Sequence, residues 1–136
     1  MSVLLIGGLD PLGRAGLLAD LQACAGFDTY AVCSVLTAQD DERVSAMLTP
    51  SESFAAQLAS VFAANEIIAV KTGWLGNEEQ VEILLSCLPR QALLVVDTLF
   101  HTSSGFSVYG DDIRAPTYQR LLKRADLITP NIPEAE

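Results

Sequence analysis

Histidine is almost missing from this chain: His101 stands alone, and the three cysteines, Cys24, Cys33 and Cys87, fall at no metal-ligand spacing. A structural zinc centre is therefore not expected, and the odd number of scattered thiols predicts buried, reduced cysteines and no disulfide framework. Positive charge is also scarce. Eight Lys and Arg face 17 Asp and Glu, a net charge of -9, and the basic residues are scattered along the sequence. Nucleic acids and anionic membrane surfaces are bound by clustered cations that neutralise phosphates, so neither is an expected partner. No apolar run approaches the roughly 20 residues that cross a bilayer, and the N-terminus lacks the basic start and cleavage site of a secretory signal. A cytoplasmic protein is expected.

What is present suits a folded chain. Half of the 136 residues are hydrophobic and 18% are charged, a globular composition. By length it is one domain, long enough to bury roughly two thirds of its unfolded surface.

Val3 to Ile6 is an apolar run closed by Gly7-Gly8, and Leu17, Leu21, Cys24 and Ala25 then repeat at helical spacing up to Gly26, so strand, turn, helix and C-cap follow in order. Tyr30 to Leu36 is rich in strand formers and leads into a polar segment, Thr37 to Glu42. Thr49-Pro50-Ser51-Glu52 has the pattern of a capping box, with Thr49 at the N-cap of a helix running to about Asn65. Ile67 to Val70 reads as a strand, and Asn77 with Gln80 three residues on starts the next helix, its dipole complemented by Glu78 and Glu79. Leu93 to Val96 has the continuous apolar pattern of a strand buried on both faces. After a loop from His101 to Gly110, a helix over Pro116 to Arg124 and a strand over Asp126 to Ile128 follow. This alternation of strands and helices predicts an α/β fold, with right-handed crossovers and a mostly parallel sheet covered on both faces.

Ligands of open α/β sheets bind beyond the carboxyl ends of the strands. Those ends carry Gly7-Gly8-Leu9-Asp10, Thr37-Ala38-Gln39-Asp40, Lys71-Thr72-Gly73-Trp74, Asp97-Thr98 and Thr129-Pro130-Asn131. Gly8 to Gly13 has P-loop spacing, but Arg14 and Ala15 follow where Lys and a hydroxyl residue are required. Glycines at 7, 8, 13 and 16 do not form the dinucleotide fingerprint either. Two readings stay open for this turn: backbone amides brought to a ligand at a helix N-terminus, or a tight connection with no ligand.

Four segments carry a resemblance. GGLDPLGRAGLLADLQ at Gly7 to Gln22, LTAQD at Leu36 to Asp40, VKTGWLGN at Val70 to Asn77 and LITPNIPEAE at Leu127 to Glu136 resemble AGSDPSGGAGIQADLK, LTAQN, VKIGMLGN and LITPNLPEAE. Those are motifs of the hydroxymethylpyrimidine/phosphomethylpyrimidine kinases of thiamine biosynthesis, in the ribokinase-like superfamily. The resemblance implies a three-layer α/β/α sandwich and ATP- and Mg2+-dependent phosphorylation of 4-amino-5-hydroxymethyl-2-methylpyrimidine or its monophosphate. Pyridoxal and sugar kinases share the fold, and a pyridoxal kinase-like enzyme is an alternative; the ADLQ and LTAQ pieces favour the pyrimidine branch.

The same resemblance implies roles for individual residues. Asp20 and Gln39 match positions that hydrogen-bond the aminopyrimidine, which needs an acceptor for its amino group and an amide offering both donor and acceptor. Gly8 would lend backbone to that pocket. Trp74, where the family commonly has Met, either stacks on the pyrimidine, partly fills the pocket, or packs beneath the loop. Asp97 matches an acidic position near the phosphates. Asn131 and Glu134 match the N-x-x-E motif that positions magnesium and ATP phosphates, with Glu134 reaching the metal through water. Lys71 is expected to tether neighbouring loops.

One element of such a kinase is not found. The superfamily's catalytic base is an Asp in a Gly-x-Gly-Asp turn, and Gly110-Asp111-Asp112 lacks the first glycine and falls in the wrong region. Residues 1–136 thus read as the N-terminal portion of a ribokinase-like domain about twice as long, without its anion-hole portion. The alternative is a short paralogue that binds a pyrimidine and transfers no phosphate, a reading favoured by Arg14 for Gly, Thr98 for Pro, and Leu9, Leu12 and Leu18 for Ser, Ser and Gln. The family suggests a homodimer, and the exposed edge of a half-sheet would invite association.

Overall fold

The apolar run after Met1 becomes the centre of the structure. In a computed structural model, which describes residues 1–40, 42–98 and 116–130, β1 (Ser2–Leu9) is followed by α1 (Gly16–Ala23), β2 (Asp28–Gln39), β3 (Val44–Leu48), α2 (Ser51–Ala64), β4 (Ile67–Thr72), α3 (Glu78–Cys87), β5 (Leu93–Val96), α4 (Pro116–Arg124) and β6 (Leu127–Ile128). The strands form one six-stranded sheet in the order β3-β2-β1-β4-β5-β6. All neighbours are parallel except the β2–β3 pair.

Alternate residues of a strand point to opposite faces, and the two faces here are unequally covered. Leu4, Ile6, Val32, Val70, Leu94 and Val96 pack in one cluster with Phe54 and Leu58 of α2, Val81 and Leu84 of α3, and Tyr118 and Leu121 of α4. The opposite face carries α1, which packs on β1 through the buried Leu17. Beyond the reach of α1 that face stays open: Ile68 and Leu93 are exposed, so β5 is buried on one face and not on both. The expected apolar stripe of α1 is likewise only partly used, since Leu21 and Cys24 are half-buried and Ala25 is exposed.

Two expectations fail for the segment between β1 and β4. Thr37 to Gln39 extends β2, and Val44–Leu48 returns as an antiparallel strand, so the strict strand-helix alternation breaks at a hairpin. The Asp40 carboxylate turns this hairpin by accepting the N–H groups of Glu42 and Arg43, both at 2.8 Å. Thr49 does not cap α2. Its hydroxyl donates to the Cys33 carbonyl at 2.8 Å, and the helix begins at Ser51 with Pro50 at the N-cap and no side-chain cap. Nor are all the cysteines buried: all three are free, Cys24 and Cys33 are half-buried, and Cys87 is exposed.

The start of α3 is as expected at Asn77, whose side chain accepts the Gln80 N–H at 2.9 Å. The Gln80 side chain does not reach back to close the box. It is fully buried, its Nε2 donates to the carbonyls of Ser34 at 3.0 Å and Thr49 at 3.1 Å, and its Oε1 accepts the Gly76 N–H at 2.8 Å. At the far end of the sheet the Asp126 carboxylate accepts the Leu94 N–H at 2.8 Å, a bond that holds its carboxyl below the usual carboxylate range. No helix among the described residues is long and apolar enough to cross a membrane.

Gln80→Leu strands the Thr49 carbonyl and the Gly76 N–H and leaves the Ser34 carbonyl with the Thr49 N–H alone; urea unfolding is expected to show a loss of about 2–4 kcal/mol. The opposite sign is expected at Thr72, whose buried hydroxyl has no hydrogen-bond partner among the described residues. Thr72→Val should raise the urea midpoint, by about 1 kcal/mol in stability.

Candidate active site

The chain leaves β1 on the α1 side to reach β2, and returns through α2 on the other side to reach β4. β1 and β4 are sheet neighbours whose connections depart to opposite faces, which opens a crevice beyond their carboxyl ends. Glycines line it. A Cβ on Gly7 would meet the Gly73 backbone and Leu17 at 3.9 Å, and the Gly73 N–H donates to the Ile6 carbonyl at 2.7 Å, so the loop after β4 lies tight against the end of β1.

The turn after β1 is equally tight. Gly13 and Gly16 both have φ of +68°, and a Cβ on Gly16 would collide with the Gly8 carbonyl oxygen. Asp10, buried, accepts the Leu12 N–H at 3.1 Å on its carboxylate and the Gly13 N–H at 3.0 Å on its carbonyl. The Thr37 hydroxyl donates to the Leu9 carbonyl at 2.9 Å, binding this turn to β2. The glycines thus serve close backbone approach, and Arg14 lies exposed on the turn.

Asp20 projects from the first turns of α1 and meets Lys71 of β4, with Lys71 Nζ 2.6 Å from Asp20 Oδ2. The same Nζ lies 3.7 Å from Oδ2 of Asp97, the residue after β5. Asp97 is set there by its own N–H, which donates to the Thr72 carbonyl at 2.8 Å. One ammonium thus stands between two carboxylates brought from separate elements. The Lys71 and Asp20 side chains are only 23% and 22% exposed, so bulk water screens this pair less than a surface one.

Trp74 is buried, and its ring lies beside Gly8: a Cβ added there would be 3.5 Å from Trp74 Cε3. Its carbonyl accepts the Ser34 hydroxyl. Gly8, Asp20, Trp74 and Asp97 therefore share one end of the sheet. Gln39 ends β2 at the same edge, and its side chain lies outside what is described. Asn131, Glu134 and Gly110-Asp111-Asp112 also lie outside the described residues. Among the described residues no group of three His, Cys, Asp or Glu could hold a metal ion. Asp20 and Asp97 both face the Lys71 ammonium.

Two residues of this region carry more of the geometry than their sequence positions suggest. Gln80 reads as a helix-start residue yet anchors the 73–76 loop, and Asp10 reads as part of a glycine turn yet organises it. Only the burial of both side chains reveals these tasks.

The sequence profile of the phosphomethylpyrimidine kinases matches residues 10–136. The chain is 41% identical to the chloroplastic thiamine biosynthetic bifunctional enzyme TH1 of Arabidopsis thaliana, over 98% of this chain and 26% of that protein. It is 37% identical to the hydroxymethylpyrimidine/phosphomethylpyrimidine kinase of Escherichia coli K12, over 99% of this chain and 53% of that one. Among solved structures it is similar to the phosphomethylpyrimidine kinase of Clostridium difficile 630, with a TM-score of 0.78 and 31% identity, covering 100% of this chain and 61% of that one. The pyridoxal kinase of Staphylococcus aureus, in complex with AMP-PCP and pyridoxal, superposes with a TM-score of 0.80 at 25% identity, over 98% of this chain and 49% of that one. The chain thus spans about half the length of the single-function relatives it matches. These ribokinase-like neighbours share its α/β architecture and mostly parallel sheet.

Gly16→Ala combines an unfavourable positive φ with a collision against backbone, and a loss of more than about 2 kcal/mol is expected in thermal unfolding. Gly26→Ala, at φ +99° with open space around it, is the control and should cost about 1 kcal/mol.

Proposed function

Because the chain belongs to the phosphomethylpyrimidine kinase family, we propose that it carries the acceptor-binding half of a kinase that phosphorylates 4-amino-5-hydroxymethyl-2-methylpyrimidine or its monophosphate in thiamine biosynthesis. The observation that carries this reading is the crevice between β1 and β4, where Gly8, Asp20 and Trp74 stand at one sheet end with Asp97 beside them. Asp20 supplies an acceptor for the pyrimidine amino group, and Gln39, at the end of β2, supplies an amide for the ring edge. Trp74, packed beside Gly8, bounds the pocket where a flexible methionine would leave more play.

In the proposed reaction the hydroxymethyl oxygen, or a non-bridging phosphate oxygen when the monophosphate is the acceptor, attacks the γ-phosphorus of ATP, the bond from that phosphorus to the β,γ-bridging oxygen breaks, and ADP leaves. The hydroxyl proton passes to a base, for which the Asp of a Gly-x-Gly-Asp turn in the rest of a longer kinase is the candidate. Asn131 and Glu134, with Asp97, are proposed at the phosphate and Mg2+ end, Glu134 acting through water. A cytoplasmic location and a homodimer complete the proposal. The dimer is supported by the apolar edge of the β2–β3 hairpin, where Leu36, Met47 and Leu48 are exposed. A pyridoxal kinase-like acceptor is the second reading, favoured by the pyridoxal-bound Staphylococcus aureus neighbour. A pyrimidine-binding paralogue without phosphoryl transfer is the third.

Titration calorimetry of the chain with 4-amino-5-hydroxymethyl-2-methylpyrimidine and, separately, with pyridoxal distinguishes these readings. Saturable heat with the pyrimidine is expected, weakened about tenfold or more by Asp20→Asn. Heat with pyridoxal alone would transfer the assignment to the second reading, and none with either would refute an acceptor pocket. Release of ADP by the protein once a Gly-x-Gly-Asp segment is supplied separates the kinase from the inert paralogue.

A further inference from the structure

Lys71 reaches the crevice from the sheet, and both carboxylates it faces belong to other elements. We propose that Lys71 is a positioning residue that holds the Asp20 carboxylate for the acceptor and couples its occupancy to Asp97. The inference rests on the reading of Asp20 as an acceptor contact.

The two distances are unequal in a telling way. At 2.6 Å the bond to Asp20 is a short charge-assisted hydrogen bond, whereas 3.7 Å to Asp97 is an ion pair without direct hydrogen bonding. The ammonium therefore commits to Asp20 and keeps Asp97 within reach. Its three protons allow it to serve both. The grip on Asp20 uses Oδ2, and among the described residues Oδ1 accepts no hydrogen bond. One oxygen is thus fixed by the protein while the other keeps its accepting capacity.

The ammonium lies beside Gly73: a Cβ there would stand in ordinary van der Waals contact with Nζ, at 3.5 Å. The stem leaves β4 between β1 and β5. Among the described residues the carboxylates paired with Nζ are Asp20 and Asp97. An N–H donated by an acceptor to Asp20 divides that carboxylate's charge between two donors. The hold on Lys71 then loosens and its interaction with Asp97 strengthens. By linkage, a cation or donor bound at Asp97 would change acceptor affinity by the same factor as the acceptor changes its own.

The test is calorimetric affinity for 4-amino-5-hydroxymethyl-2-methylpyrimidine in the wild type, Lys71→Met, Lys71→Arg, Asp97→Asn and the Lys71→Met/Asp97→Asn pair, each checked for folding by near-ultraviolet circular dichroism. Lys71→Met is expected to weaken binding about tenfold or more, with Lys71→Arg recovering most of the loss. Asp97→Asn should change affinity about threefold or more in the wild type and leave the Lys71→Met variant unchanged. If Lys71→Met does not fold, Lys71→Gln takes its place in the cycle. Wild-type binding matched by a folded Met or Gln variant overturns the positioning role, as does an Arg variant as weak as Met. Equal effects of Asp97→Asn in both backgrounds overturn the coupling. Silence from the wild type refutes the Asp20 reading itself, and this inference with it.

Discussion

A fully buried amide holds the working end of this molecule together. Gln80 sits in the first turn of α3, where side chains usually face water, yet it ties Gly76, Ser34 and Thr49 into one knot. Each bond fixes a different element: the loop after β4, the irregular stretch of β2, and the end of β3. The β1–β2 register shifts at Gly7/Gly8, so Ser34 falls at an interruption of the ladder. Its carbonyl accepts the Thr49 N–H at 2.9 Å and, on its second lone pair, the Gln80 amide. Because the interior is apolar around it, the amide has no cheap alternative, and the loop bearing Gly73 and Trp74 inherits its rigidity.

The crevice adjoining this knot is built on a different economy, that of charge. Two carboxylates and one ammonium leave a local excess of negative charge, in a chain that is strongly acidic throughout. Such a site favours an acceptor that brings N–H donors and disfavours a bare phosphate at the Asp20 end. In the proposed reaction the transferring phosphoryl group therefore needs its positive electrostatics from outside the β1–β4 crevice. The proposed placement of the acceptor by Asp20 and of the phosphates toward Asn131 and Glu134 has this physical rationale.

Much of the architecture was legible because local signals agreed with the global fold. The runs Val3 to Ile6 and Leu93 to Val96, the Asn77 cap and the Pro116 helix start fall where the pattern of apolar and capping residues put them. β3 was not legible. Its residues Ser45, Ala46, Met47 and Leu48 are exposed, so selection for a buried face left no alternation to read. The Thr49 cap failed because a hydroxyl beside a strand end found a closer acceptor in Cys33. Within the site, the sequence names positions at strand ends and predicts that Lys71 tethers loops. That its partners are the two carboxylates singled out for other roles depends on the distance between α1 and β5, which no linear spacing encodes.

The central place of β1 also bears on how the chain assembles. Its two partners are far apart along the chain: Ser2 pairs with Asp28 on one side and Ile67 on the other. On a ribosome β1 emerges well before β4 exists, and for that interval one row of its N–H and C=O groups has only water as a partner. Parallel pairings of such long sequence separation are slow to form and leave apolar strands open in the meantime. Leu5 and Ile6, almost inaccessible in the folded sheet, are then the residues whose transient exposure a chaperone would meet first.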